Sequence, residues 1–149
     1  MVLQIIDNFE CLCIDNEDMT IRFEPIKEHC AEIIEKLMAS SDMPNDEGML
    51  FKIRLCIEEA VVNIVEYAYG RGDGWLEAET TNDGKSIRII LRDAGTPFDP
   101  LDKPDPDITL SVEERQIGGL GIFLCKQIMD EVSYAYEGGC NILSMTMKF

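Results

Sequence analysis

Histidine is almost missing from this sequence, with His29 the single one in 149 residues. Its six cysteines (Cys11, Cys13, Cys30, Cys56, Cys125 and Cys140) contain no Cys-x-x-Cys pair. A structural zinc site needs several sulfur or imidazole ligands at short spacing, so this inventory argues against one. Cys56 and Cys125 lie inside apolar runs and read as small core residues. Cys11 and Cys13 share one face if their segment is a strand, which leaves a metal or redox role open beside that of ordinary thiols. Basic side chains are also scarce: 13 Lys and Arg stand against 29 Asp and Glu, for a net charge of −16. Nucleic acid is therefore not expected as the main partner, because a phosphate backbone needs a basic surface. The same field opposes any anionic ligand unless a metal ion or local donors offset it. No apolar run approaches the roughly 18 residues of a bilayer span, so no membrane segment is expected. The opening "MVLQIIDNFECLCIDNED" lacks a basic region and turns acidic, unlike a signal peptide, so a cytoplasmic location is the expectation.

What remains is an ordinary globular balance, 46% hydrophobic and 28% charged, and its length suits one domain over residues 1–149. "CLCID" and "TIRFE" read as short strands. Pro25 to Ala39 places Ile26, Cys30, Ile33, Ile34, Leu37 and Met38 at helical spacing. Asn45 and Asp46 are caps for a longer helix reaching about Tyr69, where Gly70, Gly72 and Gly74 end it. "WLEAETTND" and "KSIRIILRD" form a hairpin around Asn82-Asp83-Gly84. A helix from about Gly119 to Met129 follows, and "EVSYAYE" and "NILSMTMKF" close a second hairpin around Gly138-Gly139. The order predicts an α+β two-layer sandwich: a mixed, mostly antiparallel sheet with helices packed on one face.

The long helix carries a polar stripe. At helical pitch, Lys52, Glu59, Asn63 and Glu66 fall within about 60°, while Arg54 and Glu58 point to the far side. The other residues (Leu55, Cys56, Ile57, Ala60, Val61, Val62, Ile64, Val65 and Ala68) are apolar, so most of the helix is expected to be buried. The stripe is either its solvent face or one wall of a ligand site. Asn is a poor helix former, and its side-chain carbonyl is a hard oxygen ligand suited to Mg²⁺. Glu59, one turn earlier, is placed to polarise a hydroxyl or water beside such a metal.

Between Leu91 and Ile128 runs a connection rich in Asp, Pro and Gly, longer than compact domains keep without a use. Asp93 follows the strong β-formers Ile87 to Leu91, and it either caps the turn or accepts a hydrogen bond from the exocyclic amine of adenine. Gly118-Gly119-Leu120-Gly121 precedes an apolar helix, where unpaired amides and the helix dipole favour an anion. Thr96 to Ile117 would then form a lid.

"EEAVVN", "DAGTPFDP" and "GGLGIFL" fall in the order and spacing of the N box and the two glycine boxes of the Bergerat-fold ATPases, the superfamily of histidine kinases and gyrase. Within it the chain, from about Thr20 to Phe149, resembles the stand-alone bacterial anti-sigma factor serine/threonine kinases. That resemblance implies an ATP site between helices and sheet, with Asn63 as Mg²⁺ ligand and Glu59 activating the acceptor hydroxyl. It implies that Asp93 recognises adenine, that Gly95 gives the base close access, and that Gly118, Gly119, Leu120 and Gly121 border the phosphates. Arg115 lies near the phosphates or is a solvated lid residue. Asn141 and Thr146, on the last strand, are weaker candidates for the adenine side.

The implied partners are a STAS-type antagonist protein as phosphoacceptor and a sigma factor, with a homodimer also compatible. Two departures stand out. Tyr67 replaces a histidine common in the family, and residues 1–18 fit the branch poorly, reading as an extra edge strand or partner-binding extension. A rival reading is an ATP-binding regulatory module without kinase activity. A purely structural domain would have no nucleotide affinity.

Overall fold

A computed structural model of the chain describes residues 19–69, 74–107, 109–111 and 120–149. The expected strand at "CLCID", with Cys11 and Cys13, lies outside them, as do the extension 1–18 and Gly70 and Gly72.

Strand β1 (Met19–Phe23) is followed by a 3-10 turn (Lys27–His29) that leads into α1 (Cys30–Met38). Next come α2 (Glu47–Tyr67), β2 (Leu76–Asn82), β3 (Ser86–Asp93), α3 (Leu120–Ile128), β4 (Glu131–Glu137) and β5 (Cys140–Lys148). The five strands form one sheet in the order β1-β2-β3-β5-β4. Every pairing among them is antiparallel, so the expected α+β class holds with a sheet more uniform than "mixed". No helix among the described residues is long and apolar enough to cross a membrane.

Local chemistry accounts for the boundaries. Asp46 caps α2, its side chain accepting from the Met49 amide at 2.8 Å. In the first hairpin Asp83 Oδ1 accepts from the amides of Lys85 (2.9 Å) and Ser86 (2.8 Å), which holds its carboxyl below the usual range. In the second, Gly138 and Gly139 both take positive φ (59° and 80°), as a two-residue hairpin turn requires.

Strand alternation sends Ile87, Ile89 and Leu91 of β3 and Leu76 and Ala78 of β2 toward the helices. There they meet Ile53, Cys56, Ile57, Ala60 and Val61 of α2 and Ile33, Ile34 and Leu37 of α1. Each large aliphatic buried this way contributes about 1.5–3 kcal/mol. The solvent side of α2 is less polar than its stripe suggested: Phe51 is 70% and Val62 37% exposed.

The end of α2 is tied to the turn after β3 by the amides of Ala94 and Thr96, with that of Gly95 closing the turn between them. Ala94 N donates to Tyr69 Oη (2.7 Å), Gly95 N to Asp93 Oδ1 (2.9 Å) and Thr96 N to the Ala68 carbonyl (2.9 Å). Tyr69 Oη in turn donates to the Trp75 carbonyl at 2.6 Å. A methyl group at Gly95 would collide with the backbone carbonyl of Ala68, so glycine is required here by the approach of α2. Backbone cannot move aside cheaply. Gly95→Ala should therefore lower stability by about 1–3 kcal/mol. A urea midpoint equal to that of the unsubstituted protein would show that the two backbones do not meet as described.

Candidate functional site

A cavity of about 430 Å³, part of it open to solvent, lies between α2 and the sheet. Its walls are Ala60, Asn63, Ile64 and Tyr67 of α2, Asp93 at the end of β3, Thr96 and Phe98 beyond it, Tyr134 of β4 and Asn141 of β5. Its lining is mostly apolar with a few polar groups converging, the character of small-molecule sites.

Asp93 is its most constrained group. It is 4% exposed. Oδ1 accepts two hydrogen bonds, from Gly95 N (2.9 Å) and Asn141 Nδ2 (2.8 Å). Oδ2 accepts none among the described residues. Asp93 lines the cavity, so a donor from outside the protein or water can reach this carboxylate. The turn-cap reading holds on Oδ1, through the Gly95 amide.

Asn141 lies opposite Asp93 in the β3–β5 register. Its Oδ1 accepts from Tyr134 Oη (2.6 Å) and Phe98 N (3.1 Å). Burial, the largest influence, raises the Tyr134 hydroxyl above its ordinary range, which keeps it a donor. At the mouth the rings of Tyr67 and Phe98 stand 6.3 Å apart, tilted by 36°, with Lys103 Nζ 5.3 Å from the Phe98 ring.

The polar stripe separates as its phase requires. Glu58 is engaged by Arg54 Nε at 3.1 Å, and Arg54 also pairs with Glu35 of α1. Glu59 turns instead to α3: a methyl group at Gly121 would fall on its carboxylate. Glu59 and Asn63 are half-buried and have no hydrogen-bond partner among the described residues, while Lys52 and Glu66, on the same stripe, are exposed. Asn63 lines the cavity; Glu59 does not.

Of the other expected site residues, Leu120 and Gly121 open α3. Arg115, Gly118 and Gly119 lie outside the described residues. Thr146 is not on the adenine side. It faces away from the helices beside Arg88 and Ser144, because strand alternation sends residues five apart, such as Asn141 and Thr146, to opposite faces. The sequence reading missed Tyr134 and Phe98. The alternation of β4 could have placed Tyr134 on the inner face, but nothing local announces that it reaches Asn141.

Two alternatives fail on chemistry. Cys125 is fully buried, and its hydrogen bond with Cys56 together with burial raises its thiol far above the ordinary range, so it is an inert core group. Among the described residues no group of three or more His, Cys, Asp or Glu side chains is placed to hold a metal ion. A cation here would have to draw most of its ligands from a bound molecule and from water.

Comparison with known proteins agrees with this geometry. The model of the histidine kinase-like ATPase domain matches residues 23–147. Similar proteins include the serine/threonine-protein kinase BtrW of Bordetella bronchiseptica, 29% identical over 97 residues that cover 64% of this chain and 68% of that protein. The serine-protein kinase RsbW of Listeria monocytogenes is 29% identical over 96 residues (61% of each chain), and that of Staphylococcus aureus 32% over 106 residues (62% of each). The matched region thus spans between three fifths and about two thirds of these relatives. With this match over most of its length, and a five-stranded antiparallel sheet under three helices among the described residues, the chain belongs to the histidine kinase-like ATPase domain family.

Proposed function

We propose that the chain is an ATP-dependent serine/threonine protein kinase and anti-sigma factor. In this reading it phosphorylates a STAS-type antagonist protein in the cytoplasm and holds a sigma factor on a separate surface; a homodimer is part of the same reading. The observation that carries it is Asp93 Oδ2, without a hydrogen-bond partner among the described residues, in the lining of a cavity that Asn63 also lines. The kinase names of the similar proteins support the reaction type.

The residues fit MgATP. Asp93 accepts a hydrogen bond from the exocyclic amine of the base, and the apolar walls, Ile64 and Ala68 among them, shed water around the ring. Asn63 offers one neutral oxygen to Mg²⁺, a suitable share for an ion that keeps phosphate and water ligands. When bound, the ion neutralises phosphate charge and aligns the transferred group. The amides at the start of α3, at Leu120 and Gly121, border the phosphates; Gly118, Gly119 and Arg115 are carried to this role by the resemblance alone. Glu59 would take the proton of the acceptor serine or threonine hydroxyl as that hydroxyl's oxygen attacks the γ-phosphorus and the bond to the β–γ bridging oxygen breaks, releasing ADP. Glu58 is committed to Arg54 and does not compete for this role.

One observation favours the rival, a nucleotide-responsive binding module without transfer: Glu59 is not among the residues lining the cavity. Incubation with γ-labelled ATP and a STAS protein decides between them, because bound ATP without label on the STAS protein is the outcome only the module allows.

Asp93→Asn places an amide where the base offers a donor and should reduce ATP affinity about 100-fold or more; undiminished heat of binding in calorimetry would remove Asp93 from base recognition. Glu59→Gln should retain ATP affinity while transfer to the STAS protein falls by about 10²–10⁴, and an unchanged single-turnover rate would show that another group takes the proton. Chelating Mg²⁺ with EDTA should weaken ATP binding, whereas an indifferent dissociation constant would argue against Asn63 as a metal ligand.

A further inference from the structure

Asn141 is 6% exposed and uses its whole amide. Nδ2 donates to Asp93 Oδ1 (2.8 Å), to the Thr96 carbonyl (3.1 Å) and, at the limit of reach, to the Gly95 carbonyl (3.5 Å). Oδ1 accepts from Tyr134 Oη (2.6 Å) and from Phe98 N (3.1 Å). The amide cannot be turned over. Phe98 N–H can only donate and the Thr96 carbonyl can only accept, so each fixes its end. One side chain therefore holds both the carboxylate at the floor of the cavity and the backbone that carries the aromatic ring at its mouth.

We propose that Asn141 is the positioning residue that sets base selectivity: it locks Asp93 so that only Oδ2 faces the ligand, and it couples that choice to the placement of Phe98. This rests on the reading of the cavity as a purine site. With Oδ1 saturated by two donors, the carboxylate cannot swing to present a different edge. Oδ2, an acceptor, then selects a purine with an amine at C6 and repels one with a carbonyl there. Tyr134 acts one step further out by holding the amide that holds the carboxylate. Neither side chain needs to touch the base, and neither is expected to contact the phosphoryl group.

The experiment compares ATP with ITP, which differ in the base at C6 and the adjacent N1 proton, by calorimetry in the presence of Mg²⁺. The unsubstituted protein should prefer ATP. Asn141→Ala should narrow the ATP-to-ITP affinity ratio by about tenfold, the loss falling on ATP, because the bond that depends on a fixed Oδ2 belongs to ATP alone. Tyr134→Phe keeps the ring and removes only the hydroxyl. It should narrow the ratio in the same direction by a smaller factor, and it decides the matter alone if Asn141→Ala does not fold. A merely structural role would lower the melting temperature, or both affinities together, and leave the ratio intact; an intact ratio in the folded variants overturns the proposal. An unsubstituted protein that binds neither nucleotide, or binds them equally, removes the purine reading itself and this proposal with it.

Discussion

The backbone amides of Ala94 and Thr96 bind the exit of β3 to the residues that end α2, that of Gly95 closes the turn between them, and the geometry of the cavity depends on that joint. Each is satisfied by a different group: a tyrosine hydroxyl, the Asp93 carboxylate and the terminal carbonyl of the helix. Hydrogen bonds of this kind contribute about 1 kcal/mol each, a modest sum. The larger effect is steric. Because Gly95 has no Cβ, the turn sits directly against the Ala68 carbonyl, and this closeness sets Asp93 across the cavity from Asn63. The resemblance implies that Gly95 gives a base close access; the structure adds a neighbour on the protein's own side, the carbonyl of Ala68.

The net charge of −16 poses a problem that distance resolves. At physiological ionic strength, exposed charges are screened over about 8 Å, so carboxylates scattered over the surface act weakly on a group held inside the cavity. Local groups dominate there. They are the carboxylate of Asp93 and the amides of Asn63 and Asn141. Glu58, on the far side of α2, is paired with Arg54, which also pairs with Glu35 on α1. The fold thus leaves Glu59 as the carboxylate of that pair facing α3.

Much of this was legible because it is local. Helical spacing over Pro25 to Ala39, the Asp46 cap and the two glycine-bearing hairpin turns each depend on residues within a few positions, and the elements formed within a residue or two of expectation except α1, which begins at Cys30 after a 3-10 turn. Pitch alone separated Glu58 from Glu59. The contacts that were not legible join distant residues: Asn141 with Asp93, 48 positions apart, and Tyr134 with Asn141 across the second hairpin. Thr146 was assigned by strand membership without counting alternation, which places it on the other face. The exposure of Phe51 and Val62 was missed for a related reason: periodicity reports which residues share a side of α2, but α1 and α3 decide how much of that side they cover.

Gly121 shows how one residue type serves two ends. In the glycine boxes of nucleotide-binding proteins the usual reason for glycine is close approach of phosphate to backbone. Here a second reason is present without any ligand: a side chain at position 121 would strike the Glu59 carboxylate and push the start of α3 away from α2. Further along the same interface Cys125 Sγ reaches the Cys56 carbonyl at 3.8 Å, one turn of α2 before Glu59. The two contacts fix the spacing of the helices at both ends of this short stretch. The carboxylate of Glu59 therefore lies against the first turn of α3, where a residue without a Cβ leaves it room, and how closely the two helices approach decides what that carboxylate can reach.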